Sequence, residues 1–383
     1  MVGNATQHPL SPTSPTDAHF ASIRPPAELQ ADAYGHIPID GPVTLLRCII
    51  TAPYSGGLPT MWNANVSSST RAPIDAERRA SVDKQLRWLT CLDTLIPLAQ
   101  DKLLAKLDQY QLLDRKLDPN DPRDASVLHA IHPFRTAHGL PPTLYSEADS
   151  TSHINARFIW PAIHLLRLLL VEMKRSDAPM AFESYTTSAK DLFVSSSEGQ
   201  RKGHNAENIP DGILRYMLRN LAVLEWKTEN ALKTHDFNDL IQRLVAHAAS
   251  HQSDSGIVPA RVEWGRSTQS VSESRTKIIF QVWSQMRWRD CGADEQLQFA
   301  CLSSLQATYF FYRPSEHQGA MFISQPLNIV DATVLKFAAF FALAIGLTKL
   351  DEQDIPSMNT AYMNEFDGLY RHIPSRPIGV DYV

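Results

Sequence analysis

Three residues near the middle of the chain carry side chains suited to work on a phosphate. In IPDGILRYMLRNLAVLEWKTENAL, Asp211 follows Pro210, and Glu225, Trp226 and Lys227 come fourteen positions later. Two strands are expected here, over residues 209–216 and 221–227, joined by a turn near Arg219 and Asn220. Side chains alternate along a strand, so Glu225 and Lys227 project together while Trp226 points the other way, toward packing. If the strands pair as a hairpin, Asp211 comes to the same end. Two carboxylates so placed are hard oxygen ligands for Mg²⁺ or Mn²⁺. Such an ion polarises a phosphodiester and makes hydroxide accessible near neutral pH. Lys227 then orients the water or offsets charge developing on the phosphate.

The rest of the sequence must supply the elements that hold these groups. Residues 1–35 are Ser, Thr, Pro and Asp without apolar periodicity and read as a flexible tail. Residues 36–140 read as a mainly helical N-terminal domain of unknown role that offers a surface for a protein partner. It opens with a strand-like run, HIPIDGPVTLLRCIITAPY. A helical stretch over residues 76–116 follows, with Leu86, Leu89, Leu103, Leu107 and Tyr110 at helical spacings and Pro97 as a kink or break. The Pro-rich segments LDPNDPRD and HPFRTAHGLPPTLYSE place a boundary near residue 140. Beyond it, Ser146 is a cap candidate for a helix whose stripe is Ile154, Phe158, Ile163, Leu166 and Leu170, with Pro161 bending or dividing it. Residues 237–249 and 277–288 read as helices, and residues 307–312 with 321–324 as paired strands. The mixture of elements predicts an α/β or α+β core over residues 141–350, with 351–383 as a C-terminal extension.

Pro210 and Asp211, the gap, and Glu225, Trp226 and Lys227 resemble the PD-(D/E)XK nuclease superfamily, whose pattern is Pro-Asp, a variable interval, then an acid, any residue and Lys on the next strand. More narrowly, the segment is similar to nuclease-like domains of fungal and Crinkler-type proteins. The resemblance implies a restriction-endonuclease-like fold, a central mixed sheet flanked by helices, with QATYFFYRPSEHQGAMFIS as its later strand pair. It implies Asp211 and Glu225 as metal ligands, Lys227 in water activation, and a further acid from the preceding helix. Glu147 in SEADSTSHINARF matches that acid by position, and Glu183 in AFESYTTSAKDLF competes. The implied activity is Mg²⁺- or Mn²⁺-dependent hydrolysis of nucleic-acid phosphodiesters, DNA ahead of RNA. The alternative is a catalytically inactive nuclease-fold module for protein interaction or nucleic-acid binding.

Composition narrows the field without naming a partner. A hydrophobic share of 43% excludes a mostly disordered scaffold, and 36 basic against 41 acidic residues exclude a histone-like polycation. Cys48, Cys91, Cys291 and Cys301 are scattered without a CxxC pair, which fits a reduced intracellular compartment, cytoplasmic or nuclear. The apolar run Phe337–Leu347 is too short to span a bilayer and reads as a buried helix, so no membrane is expected. Loops of the GxxxxGK[ST], GxGxxG and GxSxG types do not occur, which argues against nucleotide hydrolysis, dinucleotide redox chemistry and serine-type ester hydrolysis.

Several weaker signals compete with the proposed site. Glu-x-Lys arises by chance about once in a chain of this length, and Glu172-Met173-Lys174 is such an occurrence within a helical pattern. By the same token Glu225 and Lys227 also read as an ion pair on a solvated strand edge. His129, His132 and His138 match no established zinc spacing. Gln281 and Gln285, one turn apart in FQVWSQMRW, are candidates either to point toward the site or for a surface helix face, with the surface face preferred. Trp264, Trp283 and Trp288 lie among basic residues and are candidates either for base stacking or for the core.

Overall fold

The computed structural model describes residues 42–54, 59–61, 85–131, 140, 143–177, 189–196, 210–251, 256–262, 272–288, 297–317 and 319–371. In chain order the elements are β1 (Val43–Thr44), α1 (Leu45–Ile50), β2 (Thr60–Met61), β3 (Trp88–Cys91), α2 (Leu95–Gln109), β4 (Lys116–Leu117), α3 (Pro122–Ile131), β5 (Thr143–Leu144) and α4 (Glu147–Ile154). A π-helical turn (Asn155–Ile159) leads into α5 (Trp160–Asp177), followed by β6 (Phe193–Ser196), β7 (Gly212–Tyr216), β8 (Arg219–Trp226), α6 (Glu229–Leu232), α7 (Thr234–Ser250), β9 (Ala260–Arg261) and α8 (Ser272–Trp288). The chain continues through β10 (Phe299–Ser303), β11 (Ala307–Tyr312), β12 (Ala320–Ile323), β13 (Leu327–Asn328), α9 (Val334–Ala344) and α10 (Thr360–Arg371).

Eight strands form one mixed sheet in the order β6-β7-β8-β10-β11-β12-β3-β9, and β13 pairs with β11 off that path. The β8–β10 and β12–β3 pairs are parallel and the other neighbours antiparallel. Period-two alternation sorts the side chains onto two faces. Leu224, Trp226, Cys301, Phe310 and Phe322 enter one apolar core with residues of α2, α5 and α9, while Val223, Leu302, Tyr309, Phe311 and Met321 enter the other with α7 and α8. The architecture is therefore α/β, a mixed central sheet between two helical layers.

Apart from the partly exposed Lys336, α9 is apolar and buried along its whole length, as a nearly all-round hydrophobic helix must be. It packs on α2 and α5, with Phe337 stacked on Phe158 at 4.9 Å and Phe340 against Phe310 at 4.6 Å. The span Glu147–Arg175 is long and apolar enough to cross a membrane, yet 67% of its apolar window is buried inside the protein.

Several local expectations change. In the run 36–54 that read as a strand, Leu45–Ile50 is helical, because Thr44 caps the Arg47 N–H and starts α1. Leu89 lies on strand β3, and Leu86 just before it, instead of on a helix; both are buried in the α7–α8 core. Pro97 is the third residue of α2, where no intrahelical N–H bond is lost, so the helix runs on without a break. Pro161 has no N–H to offer Arg157, and the widened π turn falls immediately before it. The hairpin turn is at Met217 and Leu218, both with positive φ (49° and 65°), not at Arg219 and Asn220. Residues 36–140 send β3 into the central sheet and α2 into the core beneath it, so the boundary near 140 does not separate two cores.

That shared core has a measurable consequence. Leu103 of α2 is fully buried, and Leu103→Ala should cost about 2–5 kcal/mol. The loss should appear as a shift of one cooperative transition seen identically by far-ultraviolet circular dichroism and tryptophan fluorescence; a separate early transition for the N-terminal part would contradict a common core.

Candidate functional site

The site is assembled at one end of the sheet by three pieces of chain. β7 and β8 form an antiparallel hairpin in which Gly212 faces Leu224, and the pairing brings Asp211 beside the end of β8. The Asp211 carboxylate accepts the Trp226 N–H at 2.7 Å, so the acid is fixed to the neighbouring strand by a backbone bond. Trp226 turns into the opposite core, as alternation requires. Glu225 and Lys227 share the other face, where the Lys227 ammonium donates to Glu225 Oε1. β8 continues through a Lys227 N–H bond to the Ser303 carbonyl at 2.9 Å. Just beyond, Glu229 accepts from the Thr234 N–H at 2.7 Å and the Ser304 hydroxyl at 2.8 Å. The chain leaving Lys227 is thus tied to the β10–β11 turn.

The third piece is the start of α4. Ser146 and Asp149 form a reciprocal capping box, which sets the first residue of the helix, Glu147, 3.9 Å from the Lys227 ammonium. The structure therefore brings Asp211, Glu225, Lys227 and Glu147 together, from three separate elements. Glu183, the competitor, lies outside the described residues, as do His132 and His138.

Two further residues join the group. Gln281 Nε2 donates to Glu225 Oε1 at 2.5 Å and Gln285 Nε2 to Glu225 Oε2 at 2.7 Å. The expectation that these glutamines face solvent is corrected, since Gln281 is buried and Gln285 has no exposed surface. A sequence signal existed: Ile278, Ile279, Val282, Trp283 and Met286 surround the helix with buried apolar groups, and such a helix has no wet face on which to place two amides. Both glutamine Oε1 atoms are buried without a hydrogen-bond partner.

The electrostatics follow from burial and crowding. Glu225 is 2% exposed, and its two oxygens receive an ammonium and two amides, the arrangement that lets an ionised carboxylate leave water. Asp211 has no comparable set of donors. Burial first, and the neighbouring Glu225 charge second, push its pKa up to about 8, against the opposing pull of Lys227 and the Trp226 N–H. Glu147 is raised in the same way by burial and Glu225, with Lys227 opposing. Burial alone would lower Lys227, but Glu225, Glu147 and Asp211 outweigh it and hold the ammonium above its ordinary range. Lys227 is therefore a fixed cation at neutral pH. With all three acids ionised, the cluster carries more negative than positive charge.

The other candidates are settled by position. Glu172 and Lys174 lie on α5, a helix and not a strand, with Glu172 paired to Arg115 at 3.7 Å. Trp283 is buried beneath the Arg313 guanidinium at 4.4 Å and belongs to the core, not to a base-stacking groove. Trp264 and the side chain of Trp288 lie outside the described residues. Cys48, Cys91 and Cys301 are buried and free, and burial pushes the first two thiols up to about 12, far from thiolate nucleophiles.

In comparisons with known proteins, no family model, no curated protein and no solved structure matches this chain.

The raised Asp211 pKa makes a prediction about stability in the absence of divalent metal. The folded chain keeps this proton up to about pH 8, whereas the unfolded chain releases it near pH 4. Between those values the folded state binds more protons, so stability falls as pH rises through the window. Asp211→Asn keeps the shape without the charge. In denaturant titrations in a chelating buffer it should match the wild type near pH 5 and exceed it by a few kcal/mol, roughly, near pH 9. Equal stability of the two proteins at pH 9 would contradict the crowding described here. Gln285→Leu should act oppositely and cost about 1.5–3 kcal/mol by removing a donor from a buried carboxylate.

Proposed function

We propose that the protein is a metal-dependent nuclease-like phosphodiester hydrolase of the PD-(D/E)XK type, with Asp211, Glu225, Lys227 and Glu147 as its site. The observation that carries this reading is the convergence of three carboxylates on one buried lysine at a sheet end, built from a hairpin and a capped helix N-terminus. A purely structural ion pair needs one acid for one base. Here two further acids are held close at an electrostatic cost, which is the pattern of a site arranged for chemistry and not for stability.

The residues fit a hard divalent cation. Asp211 is a crowded carboxylate short of donors, the cluster has excess negative charge, and its ligating atoms are oxygens. Among the described residues no three His, Cys, Asp or Glu side chains form a ready cage, so Asp211 and Glu225 would hold Mg²⁺ or Mn²⁺ together with water and substrate oxygens. When bound, such an ion polarises the phosphodiester and lowers the pKa of a water ligand. Lys227 contributes as a cation: three acids hold its proton, so it donates a hydrogen bond to a water or to phosphate oxygen and does not accept a proton. Gln281 and Gln285 keep Glu225 in one orientation, and Glu147, the most exposed acid of the group, steadies Lys227 from the open side.

A second reading, an inactive nuclease-fold module that binds nucleic acid or protein, is favoured by one observation. Both Glu225 oxygens are already taken by Lys227 and the two glutamines. The two readings part in one assay, cleavage of plasmid and single-stranded oligonucleotides with Mg²⁺ or Mn²⁺. An enzyme should lose at least about a hundredfold in rate in Asp211→Asn, the variant expected to be the more stable, and comparably in Lys227→Ala. Substrate affinity should change much less. Wild-type protein that binds but does not cleave under either metal would move the assignment to the module.

A further inference from the structure

Two buried acceptors at the site have no donor among the described residues: the side-chain carbonyl oxygens of Gln281 and Gln285. That is a costly state for a carbonyl oxygen. Their place is fixed by the nitrogens beside them. An ionised carboxylate only accepts, so each glutamine must turn its amide nitrogen to Glu225, and the two Nε2 atoms lie 2.5 and 2.7 Å from its oxygens. Nitrogen and oxygen share one carbon in an amide, which puts each Oε1 within about 5 Å of a Glu225 oxygen. Turning either amide over to satisfy its oxygen would set a carbonyl against the carboxylate.

The two glutamines differ in what else stands on the carboxylate. Each carboxylate oxygen has two lone pairs. Glu225 Oε1 takes both Lys227 and Gln281 and is full. Glu225 Oε2 takes Gln285 alone and keeps one lone pair open. Asp211 likewise spends Oδ2 on the Trp226 N–H, and its Oδ1 has no donor among the described residues. Gln285 has no exposed surface, so bulk water does not reach its oxygen. Hard oxygens short of donors are what a Mg²⁺ or Mn²⁺ shell uses, and side-chain amide carbonyls belong to that set. On the Gln281 side the Lys227 ammonium already occupies the carboxylate and repels a second cation.

We propose that Gln285 Oε1 is a third protein ligand, beside Asp211 and Glu225, for the divalent cation of this site. The inference rests on the nuclease reading and deepens it. Gln285 then has two tasks, its nitrogen holding Glu225 and its oxygen holding the cation, while Gln281 orients Glu225 only. Among the described residues no three His, Cys, Asp or Glu side chains form a cage, and an amide oxygen fills the place that a third acid would take.

The test uses the full chain and Mn²⁺ alone, read by isothermal titration calorimetry and by melting temperature with Mn²⁺ and with chelator. Gln285→Met keeps the bulk and loses both amide atoms; it should bind Mn²⁺ at least about tenfold more weakly than the wild type. Gln285→Glu keeps the oxygen and loses the donor. It should melt below the wild type in chelator, where two buried carboxylates repel, and gain more from Mn²⁺ than the wild type does. Gln281→Glu adds the same charge on the Lys227 side and measures the purely electrostatic gain, which should be the smaller. Equal gains in the two acidic variants, or undiminished affinity in a folded Gln285→Met, overturn the assignment. Should Gln285→Met not fold, the two acidic variants decide alone. A wild type that binds Mn²⁺, and loses it in Asp211→Asn but not in Gln285→Met, leaves the nuclease reading standing without this ligand. A wild type that binds no Mn²⁺ overturns both.

Discussion

A carboxylate at the end of a buried strand must be answered on both oxygens, and the answer given to Glu225 organises this protein's candidate site. Lys227 comes from the same strand face two residues on, and Gln281 and Gln285 come from α8, which packs across that face. The strand thus cannot slip by one residue without placing Trp226 among the amides and Glu225 in the apolar core beneath α9. Register, helix placement and charge are fixed by one set of contacts.

The same contacts create a tension that the fold tolerates. Glu225 is well matched, but Asp211 and Glu147 are held near it for reasons that its own stabilisation does not supply. The Trp226 N–H pins Asp211, and the capping box pins Glu147. Bonds of this kind hold side chains in unfavourable electrostatic company because the fold, and not the local charge, sets where the backbone donors lie. Strain of this sort collects where a site is preorganised for an incoming ion or substrate, whose arrival relieves it.

Much of this was legible in the residues themselves. The spacing of Asp211 from Glu225 and the alternation Glu-Trp-Lys were enough to pair the strands and to send Trp226 to the far face, and Ser146 as a cap candidate placed the start of α4. Other features were not legible for identifiable reasons. A four-residue strand such as β3, buried on both faces, has no alternation to separate it from a helix fragment, and its Leu89 happens to fall at helical spacing from Leu86 just before the strand. The turn at Met217 and Leu218 carries neither Gly nor Asn, so the left-handed conformation has no composition signal. The glutamines were misplaced because polar residues at helical spacing ordinarily face water, and only the apolar groups on every side of α8 reveal otherwise.

The path of the chain through the sheet bears on how it comes to fold during synthesis. β3, at residues 88–91, hydrogen-bonds in parallel with β12, at residues 320–323, and lies between it and β9. Its partner strand is therefore made more than two hundred residues after it. Until then the edge of β3 that pairs with β12 and the face of α2 that packs on α9 lack their native partners, although α7 and β9 reach β3 earlier. Pairings of such long sequence separation close large loops and are slow to form. On the ribosome, the emerging N-terminal third is thus exposed to aggregation for most of translation, and holding chaperones have their natural point of action there.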